Sequence, residues 1–325
     1  MFHESYMPMF HGNGTVYFGQ MSSKLKNRSI KDCTDEPIFK RNDFSVYLNT
    51  KNLSKPSITA RTHKLFDVLV ILLTAQNAYK GSDKRLNTEV QFELRDYLTL
   101  CGVPTTKSSH DEQRKLVKKD LETLTRISLE WSERDPKAKT GSKSGPGIRN
   151  FSDVWLFNMC EIDKRGIITA DFTPELTSYL TSAYVTYFPL ALFKLKGQSS
   201  NSYYIGKKLA HYFGIRKNIK HGKNDIIGIT SLLDATPDIL PYADLTRAEH
   251  DSGHWQRRIR QPLEKSLDVL RDIGIIDYWD YCSSGKQIIP MDTLPDIAPN
   301  YLKFSKLYIC FGMKNHPALT KTGAA

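Results

Sequence analysis

Two stretches of the chain share one apolar pattern: Val117-Lys-Lys-Asp-Leu-Glu-Thr-Leu-Thr-Arg-Ile-Ser-Leu129 and Leu263-Glu-Lys-Ser-Leu-Asp-Val-Leu-Arg-Asp-Ile-Gly-Ile275. Leu121, Leu124, Ile127 and Leu129 of the first stretch recur in the second at a constant offset of 146 residues, the difference between positions 121 and 267. In each copy the apolar spacing changes from the period of a helix to the period of a strand. The repeat therefore predicts two copies of one module in which a helix leads into a strand.

The first copy lies within a longer series of predicted elements. These are a helix at 57–76 capped by Ser57 or Thr59, a strand at 90–94, a short helix at 95–101, a basic helix at 111–124 capped by Ser108 or Ser109, and strands at 127–131, 151–159 and 167–172. Residues 44–48 alternate as a further strand. Glycine, proline and lysine dominate residues 135–150, which predicts the tip of a long hairpin.

The second half repeats that order. Its predicted elements are helices at 201–213, 231–235 and 254–271, strands at 226–229, 275–281, 287–289 and 307–311, and a turn at 283–286. Helix, strand, short helix, basic helix and hairpin is the order of a winged helix. We therefore expect an α+β fold in which two winged-helix domains form a tandem pseudo-repeat behind an N-terminal arm. The expected limits are 1–56 for the arm, 57–185 and 186–315 for the domains, and 316–325 for a tail.

Composition narrows the class of partner. The 325 residues carry a formal net charge of +11, and such a surplus favours a polyanion because bound cations release its counterions. Hydrophobic residues make up 40% and charged residues 25%, the balance of a folded protein. The longest apolar run, residues 65–75, is too short for a membrane span, and we find no secretory signal. Together with five scattered cysteines, this predicts a cytoplasmic, DNA-associated protein with no membrane partner.

The basic helices and hairpin turns supply the candidate DNA-binding residues. In the major groove, arginine can grip guanine and glutamine can grip adenine, while lysine and arginine also contact phosphates. The candidates in the first module are Ser108, Arg114, Lys115, Lys118 and Lys119 on the helix, and Lys137, Lys139, Lys143 and Arg149 in the hairpin loop. Those in the second module are Gln256, Arg257, Arg258, Arg260, Gln261 and Lys265 on the helix, and Lys286 in the turn. Each helical cluster can instead be a solvated face, and the loop can be a wing or a plain surface loop.

Three segments of the second half resemble a known family. They are Asn201-Ser-Tyr-Tyr-Ile-Gly-Lys-Lys-Leu-Ala-His-Tyr-Phe213, Trp255-Gln-Arg-Arg-Ile-Arg-Gln-Pro-Leu-Glu-Lys-Ser-Leu267 and Ile273-Gly-Ile-Ile-Asp-Tyr278. They resemble the first helix, the recognition helix and the following strand of the second domain in plasmid-type replication initiators built from two winged helices. Residues 59–172 match that family in layout rather than in residues. The long arm and the 135–150 loop depart from its pattern, and no zipper-like stretch marks a dimer face.

The resemblance implies a sequence-specific protein that binds double-stranded DNA at repeated origin sites, called iterons. Members of the family help to open nearby AT-rich DNA and recruit the host helicase and its loader, and many repress their own promoter as dimers. We therefore expect a monomer or homodimer with these partners. A winged-helix transcriptional repressor is the first alternative, because the sequence does not separate events that follow DNA binding.

No enzymatic activity is expected. The chain has no GxxxxGK[ST] phosphate loop, which argues against an ATP-driven motor. A rolling-circle nicking enzyme, the second alternative, needs a tyrosine nucleophile and a His-x-His metal pair. Tyr203 and Tyr204 are adjacent, but no His-x-His pair exists, so we interpret both as core or helix-face aromatics. His250 and His254 have helical metal spacing without a second ligand pair, and we expect neither a metal nor a cofactor.

Overall fold

The computed structural model describes residues 5–11, 37, 39–41, 44–49, 58–77, 85–104, 107–134, 148–182, 184–196, 200–215, 219–236, 239 and 254–317. The chain divides into two compact units. The N-terminal unit comprises Gly12–Thr99 and Pro104–Tyr184, and the C-terminal unit comprises Met1–His11, Leu100–Val103 and Val185–Ala325. Each combines helices with antiparallel strands, as the α+β prediction requires. No helix in the described ranges is long and apolar enough to cross a membrane.

Both halves of the chain contain helices and strands. Up to residue 182 they are β1 (Tyr6–His11), β2 (Phe39–Arg41), β3 (Phe44–Leu48), α1 (Ala60–Asn77), β4 (Glu89–Glu93), α2 (Leu94–Leu100), α3 (Lys107–Leu124), β5 (Ile127–Arg134), β6 (Ile148–Trp155), β7 (Phe157–Ile162), β8 (Ile167–Phe172) and α4 (Pro174–Ser182). From residue 184 they are β9 (Tyr184–Pro189), α5 (Ser200–Gly214), β10 (Ile226–Gly228), α6 (Ile229–Leu233), α7 (Gln261–Asp272), β11 (Ile276–Cys282), α8 (Leu294–Ile297), α9 (Tyr301–Phe304) and β12 (Tyr308–Met313).

Helix α1 of the N-terminal unit begins at the predicted cap. Thr59 and Thr62 form two reciprocal hydrogen bonds. The N–H of Thr59 donates to Oγ1 of Thr62 at 3.2 Å, and the N–H of Thr62 donates to Oγ1 of Thr59 at 3.4 Å. The guanidinium of Arg61 and the hydroxyl of Thr62 both donate to the carboxylate of Asp120 on α3, whose side chain is 3% exposed. This buried ion pair joins the first helix of the unit to its third.

The N-terminal unit holds two sheets. One has the order β4-β8-β7, and it packs behind α3 through β7. The other has the order β2-β3-β5-β6 and contains the strand predicted at 44–48. The long hairpin predicted around residues 135–150 joins β5 to β6, which pair antiparallel from Ser128 and Trp155 to Arg134 and Ile148. Its tip, residues 135–147, lies outside the described residues.

The single strand predicted at 151–159 is wrong. It is two strands, β6 and β7, which belong to different sheets and meet at Leu156. The N–H of Leu156 donates to the carbonyl of Ile127 at 3.1 Å, and its carbonyl accepts from the N–H of Thr173 at 3.3 Å. The alternation of side chains breaks at this crossing, where Leu156 and Phe157 are buried in succession within the apolar run Val154-Trp-Leu-Phe157. The hairpin that occupies the wing position beside β4 is therefore β7–β8, and the 135–150 loop belongs to the other sheet.

The C-terminal unit repeats the three-stranded sheet. Its order β10-β12-β11 matches β4-β8-β7, and α5, α6 and α7 take the places of the three helices. Strand β1 pairs with β9, and the hydroxyl of Tyr6 donates to the carbonyl of Lys314 at 2.7 Å. The described parts of the expected arm are thus strands β1, β2 and β3. The domain limits given by the sequence remain a prediction.

The prediction of a return strand at 287–289 is wrong, because no continuous strand forms there. The turn at 283–286 forms, because the N–H of Lys286 donates to the carbonyl of Ser283 at 3.1 Å. After it, only a single bridge joins Cys282 to Ile288. The strand that pairs along β11 is β12, which follows an insertion containing α8 and α9.

The repeat of apolar residues is confirmed at most positions. Val117, Leu121, Leu124 and Leu129 are buried, and so are their counterparts Leu263, Leu267, Leu270 and Ile275. Ile127 is buried but its counterpart Ile273 is 38% exposed. Helix α7 runs to Asp272 before a turn in which Gly274 has a φ of 72°, whereas α3 ends at Leu124 and β5 begins at Ile127. Relative to the repeat, the second helix therefore ends two residues later than the first (272 − 146 = 126, against 124), which moves that position from the core to the surface.

Candidate nucleic-acid interface

The helix before the wing of the C-terminal unit has one apolar and one cationic face. Ile259, Leu263, Leu267 and Leu270 are buried at helical spacing. The exposed residues are Gln256, Arg257, Arg258, Gln261 and Lys265. All five were predicted DNA-binding residues, and they lie within the first three turns of the helix. This end of a recognition helix is the one that reaches base edges.

That helix begins with a wide π turn at Gln256–Arg260. The N–H of Gln261 donates five residues back, to the carbonyl of Gln256. The sequence supplies the cause, because Pro262 has no N–H with which to bond the carbonyl of Arg258. Such wide turns are frequent at functional sites. The predicted helix at 254–271 is therefore present, with an irregular first turn that carries the candidate arginines.

Aromatic packing fixes the start of the same helix. Trp255 is buried, and its ring centroid lies 5.0 Å from that of Phe304 and 6.3 Å from that of Tyr301. Both partners belong to α9 in the insertion between the wing strands. The insertion thus supports the residues that immediately precede Gln256 and Arg257.

Arg260 differs from its neighbours. Its Nε donates to Oε1 of Glu264 at 2.7 Å, and the same oxygen accepts from the hydroxyl of Tyr281 on β11 at 3.0 Å. Both ion-pair partners have side chains only 17% exposed. Burial, followed by the nearby Glu264 carboxylate, raises the pKa of Tyr281, so its hydroxyl stays protonated and donates. The guanidinium of Arg260 is turned towards the first wing strand.

Lys286 also has an intramolecular partner. It stands at the predicted turn with a φ of 65°, and its Nζ lies 2.5 Å from Oδ1 of Asp225. The ion pair ties the turn to the segment before β10. Local sequence spacing does not reveal this pairing, because Asp225 lies far from Lys286 along the chain.

Helix α3 of the N-terminal unit presents a face of mixed charge. Lys115, Lys118 and Lys119 are exposed, as predicted, and so are the acidic Asp111, Glu112 and Glu122. Ser108 and Ser109 were predicted to cap this helix, but the helix already begins at Lys107 and both lie inside it. Lys137, Lys139 and Lys143 lie outside the described residues, and Arg149 lies in β6 with its side chain undescribed.

Arg114 connects α3 to the wing. Its Nη2 donates to the backbone carbonyl of Asp163, at the tip of the β7–β8 hairpin. The carboxylate of Asp163 accepts from the N–H groups of Arg165 and Ile167, each at 2.8 Å, and Gly166 completes the turn with a φ of 87°. This tight tip holds Lys164 and Arg165 in solvent.

Sequence analysis missed Lys164 and Arg165. The signal was available, because Asp163-Lys-Arg-Gly166 separates two alternating strands and has the aspartate and glycine of a hairpin turn.

Other chemistry has little support in the described part of the chain. No group of three or more histidine, cysteine or acidic residues there can hold a metal ion. Tyr203 and Tyr204 are buried in α5, which confirms their interpretation as core aromatics. His254 is exposed, and His250, which stands four residues before it, lies outside the described residues.

Comparison with known proteins bears on these observations. The structure of the Pi initiator protein in complex with iteron DNA has a TM-score of 0.49 and 12% identity, covering 97% of this chain and 100% of that one. A structure of domains 2 and 3 of RctB has a TM-score of 0.41 and 11% identity, covering 91% and 98%. No curated protein matches the chain. The model of the family described as "Initiator Replication protein, WH1" matches residues 43–205, about half of the chain. The chain therefore belongs to this family of replication initiator proteins.

Proposed function

We propose that the protein binds double-stranded DNA sequence-specifically at repeated origin sites, and that this binding starts replication. The observation that carries the proposal is the exposed basic face on the helix before the wing, in a chain of the initiator family. Two units with the same sheet order each place a helix before the wing, and the exposed face of that helix is basic in the C-terminal unit and of mixed charge in the N-terminal unit. A net charge of +11 favours the phosphate backbone as partner.

The residues divide by the kind of contact that their chemistry allows. Arg257 and Arg258 can each grip guanine through two hydrogen bonds, and Gln256 or Gln261 can do the same to adenine. Lys265, Lys115, Lys118 and Lys119 are suited to phosphates, which hold the protein in register. The loop residues Lys137, Lys139, Lys143 and Arg149 remain predicted phosphate contacts.

Later steps follow from the family. Two recognition helices suggest two half-sites about one helical turn apart, within a site of roughly 20 base pairs. We propose that filling these sites helps to open adjacent AT-rich DNA and brings in the host helicase and its loader. Repression of the protein's own promoter, by a homodimer, belongs to the same proposal.

The test is selection of bound duplexes from a random DNA pool by the full chain. We expect enrichment of two half-sites in direct orientation. Direct repeats beside an AT-rich tract in the source replicon support an initiator, whereas a single inverted repeat over a promoter supports a repressor. The absence of any enriched sequence would overturn specific binding.

Arg257→Ala then tests the helix itself. We expect a loss of about 1–3 kcal/mol on the enriched duplex and a much smaller loss on random DNA, because the lost contact is to a base. Binding is measured by fluorescence anisotropy on both duplexes. Arg271→Ala is the matched control, since Arg271 is exposed at the opposite end of the same helix and pairs with Asp268 at 2.9 Å. Equal losses on both duplexes would make Arg257 a phosphate contact.

A further inference from the structure

The offset of 146 residues that relates the two helices also relates two arginines, Arg114 and Arg260. Both lie one turn or less before the first buried residue of the repeat, Val117 or Leu263. Both were candidates for DNA contact on the strength of their charge. In the structure, each arginine is instead connected to the wing of its own unit.

In each unit the arginine reaches from the recognition helix to the wing hairpin. Arg114 donates directly to the carbonyl of Asp163 at the tip of β7–β8. Arg260 reaches β11 through one intermediate, because Oε1 of Glu264 accepts from both Arg260 and the hydroxyl of Tyr281. The details differ, but the two ends of each connection are equivalent elements of the repeat.

Charge strengthens the case in the C-terminal unit. Glu264 lies on the helix whose exposed face carries Arg257, Arg258 and Lys265. If Arg260 turned to a DNA phosphate, the Glu264 carboxylate would be left half-buried without its cation and close to a polyanion. Both changes oppose DNA binding, so the internal pair is the arrangement that DNA favours.

We propose that Arg114 and Arg260 are positioning residues that brace each recognition helix against its own wing, and that neither contacts DNA. The inference rests on the proposed function for its consequence. When the helix and the wing are held at a fixed separation, the helix can enter the groove and the wing can contact the DNA backbone without an additional entropic cost of ordering. This preserves affinity for DNA. Lys164 and Arg165, at the tip fixed by Arg114, are the wing cations that this brace presents.

The first experiment separates a brace from a phosphate contact by salt dependence. Each phosphate contact contributes about 0.9 to the slope of log K against log salt concentration. The double variant Arg260→Ala with Glu264→Gln removes one positive and one negative charge, so the local net charge is unchanged. We expect its affinity for the duplex enriched by the wild-type protein to fall about tenfold with an unchanged slope. A slope lowered by about 0.9 would overturn the proposal.

Tyr281→Phe provides a second arm without any change of charge. It removes the hydroxyl that links Glu264 to β11 and keeps the buried ring. Because the three residues act as one chain, the losses in DNA affinity from Arg260→Ala and Tyr281→Phe are expected to be non-additive. Strict additivity contradicts the brace. Circular dichroism melts of each variant separate loss of fold from loss of positioning.

The brace in the N-terminal unit is tested in the free protein. Arg114→Ala is expected to speed amide hydrogen exchange at Gly166 and Ile167 at least tenfold, because the tip loses its link to α3. Arg114→Lys keeps a donor and is expected to exchange at an intermediate rate. Lys115→Ala, the adjacent exposed position, is the matched control. Unchanged exchange in Arg114→Ala would overturn the proposal even if no duplex is enriched, so its failure is distinguishable from failure of the proposed function.

Discussion

His316 lies in an aromatic cluster of the C-terminal unit. Its ring is fully buried, with ring centroids 5.0 Å from Phe213, 5.2 Å from Tyr6 and 6.0 Å from Tyr187. Burial strips water from the imidazolium form and lowers the pKa of His316 to about 4. The folded unit therefore holds this ring neutral in conditions where an unfolded chain protonates it.

Because of His316, the free energy of unfolding is expected to decrease as the pH is lowered. Above about 6.5 neither state binds the proton, whereas between about 6.5 and 4 only the unfolded state does, so the free energy of unfolding drops by up to about 1.4 kcal/mol per pH unit. Burial and the neighbours Lys208 and Lys207 lower the pKa of His211 to about 3, which adds a loss of the same sign.

Urea unfolding between pH 6 and pH 4.5 tests this. His316→Phe is expected to remove about half of the slope, since it leaves His211 in place. His221→Gln is the control, because His221 is exposed. An unchanged slope in His316→Phe would show that the ring does not contribute.

At this scale the sequence identified basic side chains but not their partners. Arg257 and Arg260 stand three residues apart and were given one role. Their difference depends on Glu264 and on Tyr281, which reaches the helix only through the sheet. Lys286 likewise pairs with Asp225, a residue that is distant along the chain. Ion pairs across tertiary structure leave no mark in local spacing.

At the scale of elements, Pro262 controls the start of the recognition helix. Pro262→Ala restores an N–H that can bond the carbonyl of Arg258, so the π turn is expected to close to an ordinary helical turn. Closure rotates Gln256, Arg257 and Arg258 relative to the buried residues that follow.

We therefore expect Pro262→Ala to keep or raise the melting temperature while it lowers affinity for the enriched duplex about tenfold, since alanine favours helix and misplaced arginines miss their bases. Pro295→Ala, in the exposed part of α8, is the control for removing a proline from the same unit. If DNA affinity is retained and the turn closes, the wide turn has no part in binding.

Elements whose apolar residues recur with a clear helical or alternating period were predicted. The points where the chain passes from one sheet to another were not. β3, β4 and β8 lie within one residue of their predicted limits and α1 lies within three, because each buries a face of helical or alternating period. The break at Leu156 was not predicted, since it depends on the distant backbone partners Ile127 and Thr173. The delayed return of β12 was not predicted either, since α8 and α9 are inserted before it.

At the scale of the molecule, the proposal that both units bind one duplex predicts that each unit contributes to the salt dependence of DNA affinity. Lys118→Ala and Lys265→Ala are each expected to lower the slope of log K against log salt by about 0.9, and the double variant by about 1.8. Titration of the enriched duplex at several salt concentrations measures this. Lys194→Ala, exposed but outside both helices, leaves the slope unchanged. A response to only one substitution would mean that one unit alone holds the DNA.

Pairing of β1 with β9, and of Tyr6 with Lys314, has a consequence for the order of events during synthesis. A ribosome releases residues 6–11 long before it releases their partners, so the first strand stays unpaired while the residues of the N-terminal unit are synthesised. The C-terminal unit closes only after Lys314 has left the ribosome. A nascent or truncated chain that ends before Lys314 therefore lacks this closure, and the DNA contacts proposed for the C-terminal unit are expected only once that residue is in place.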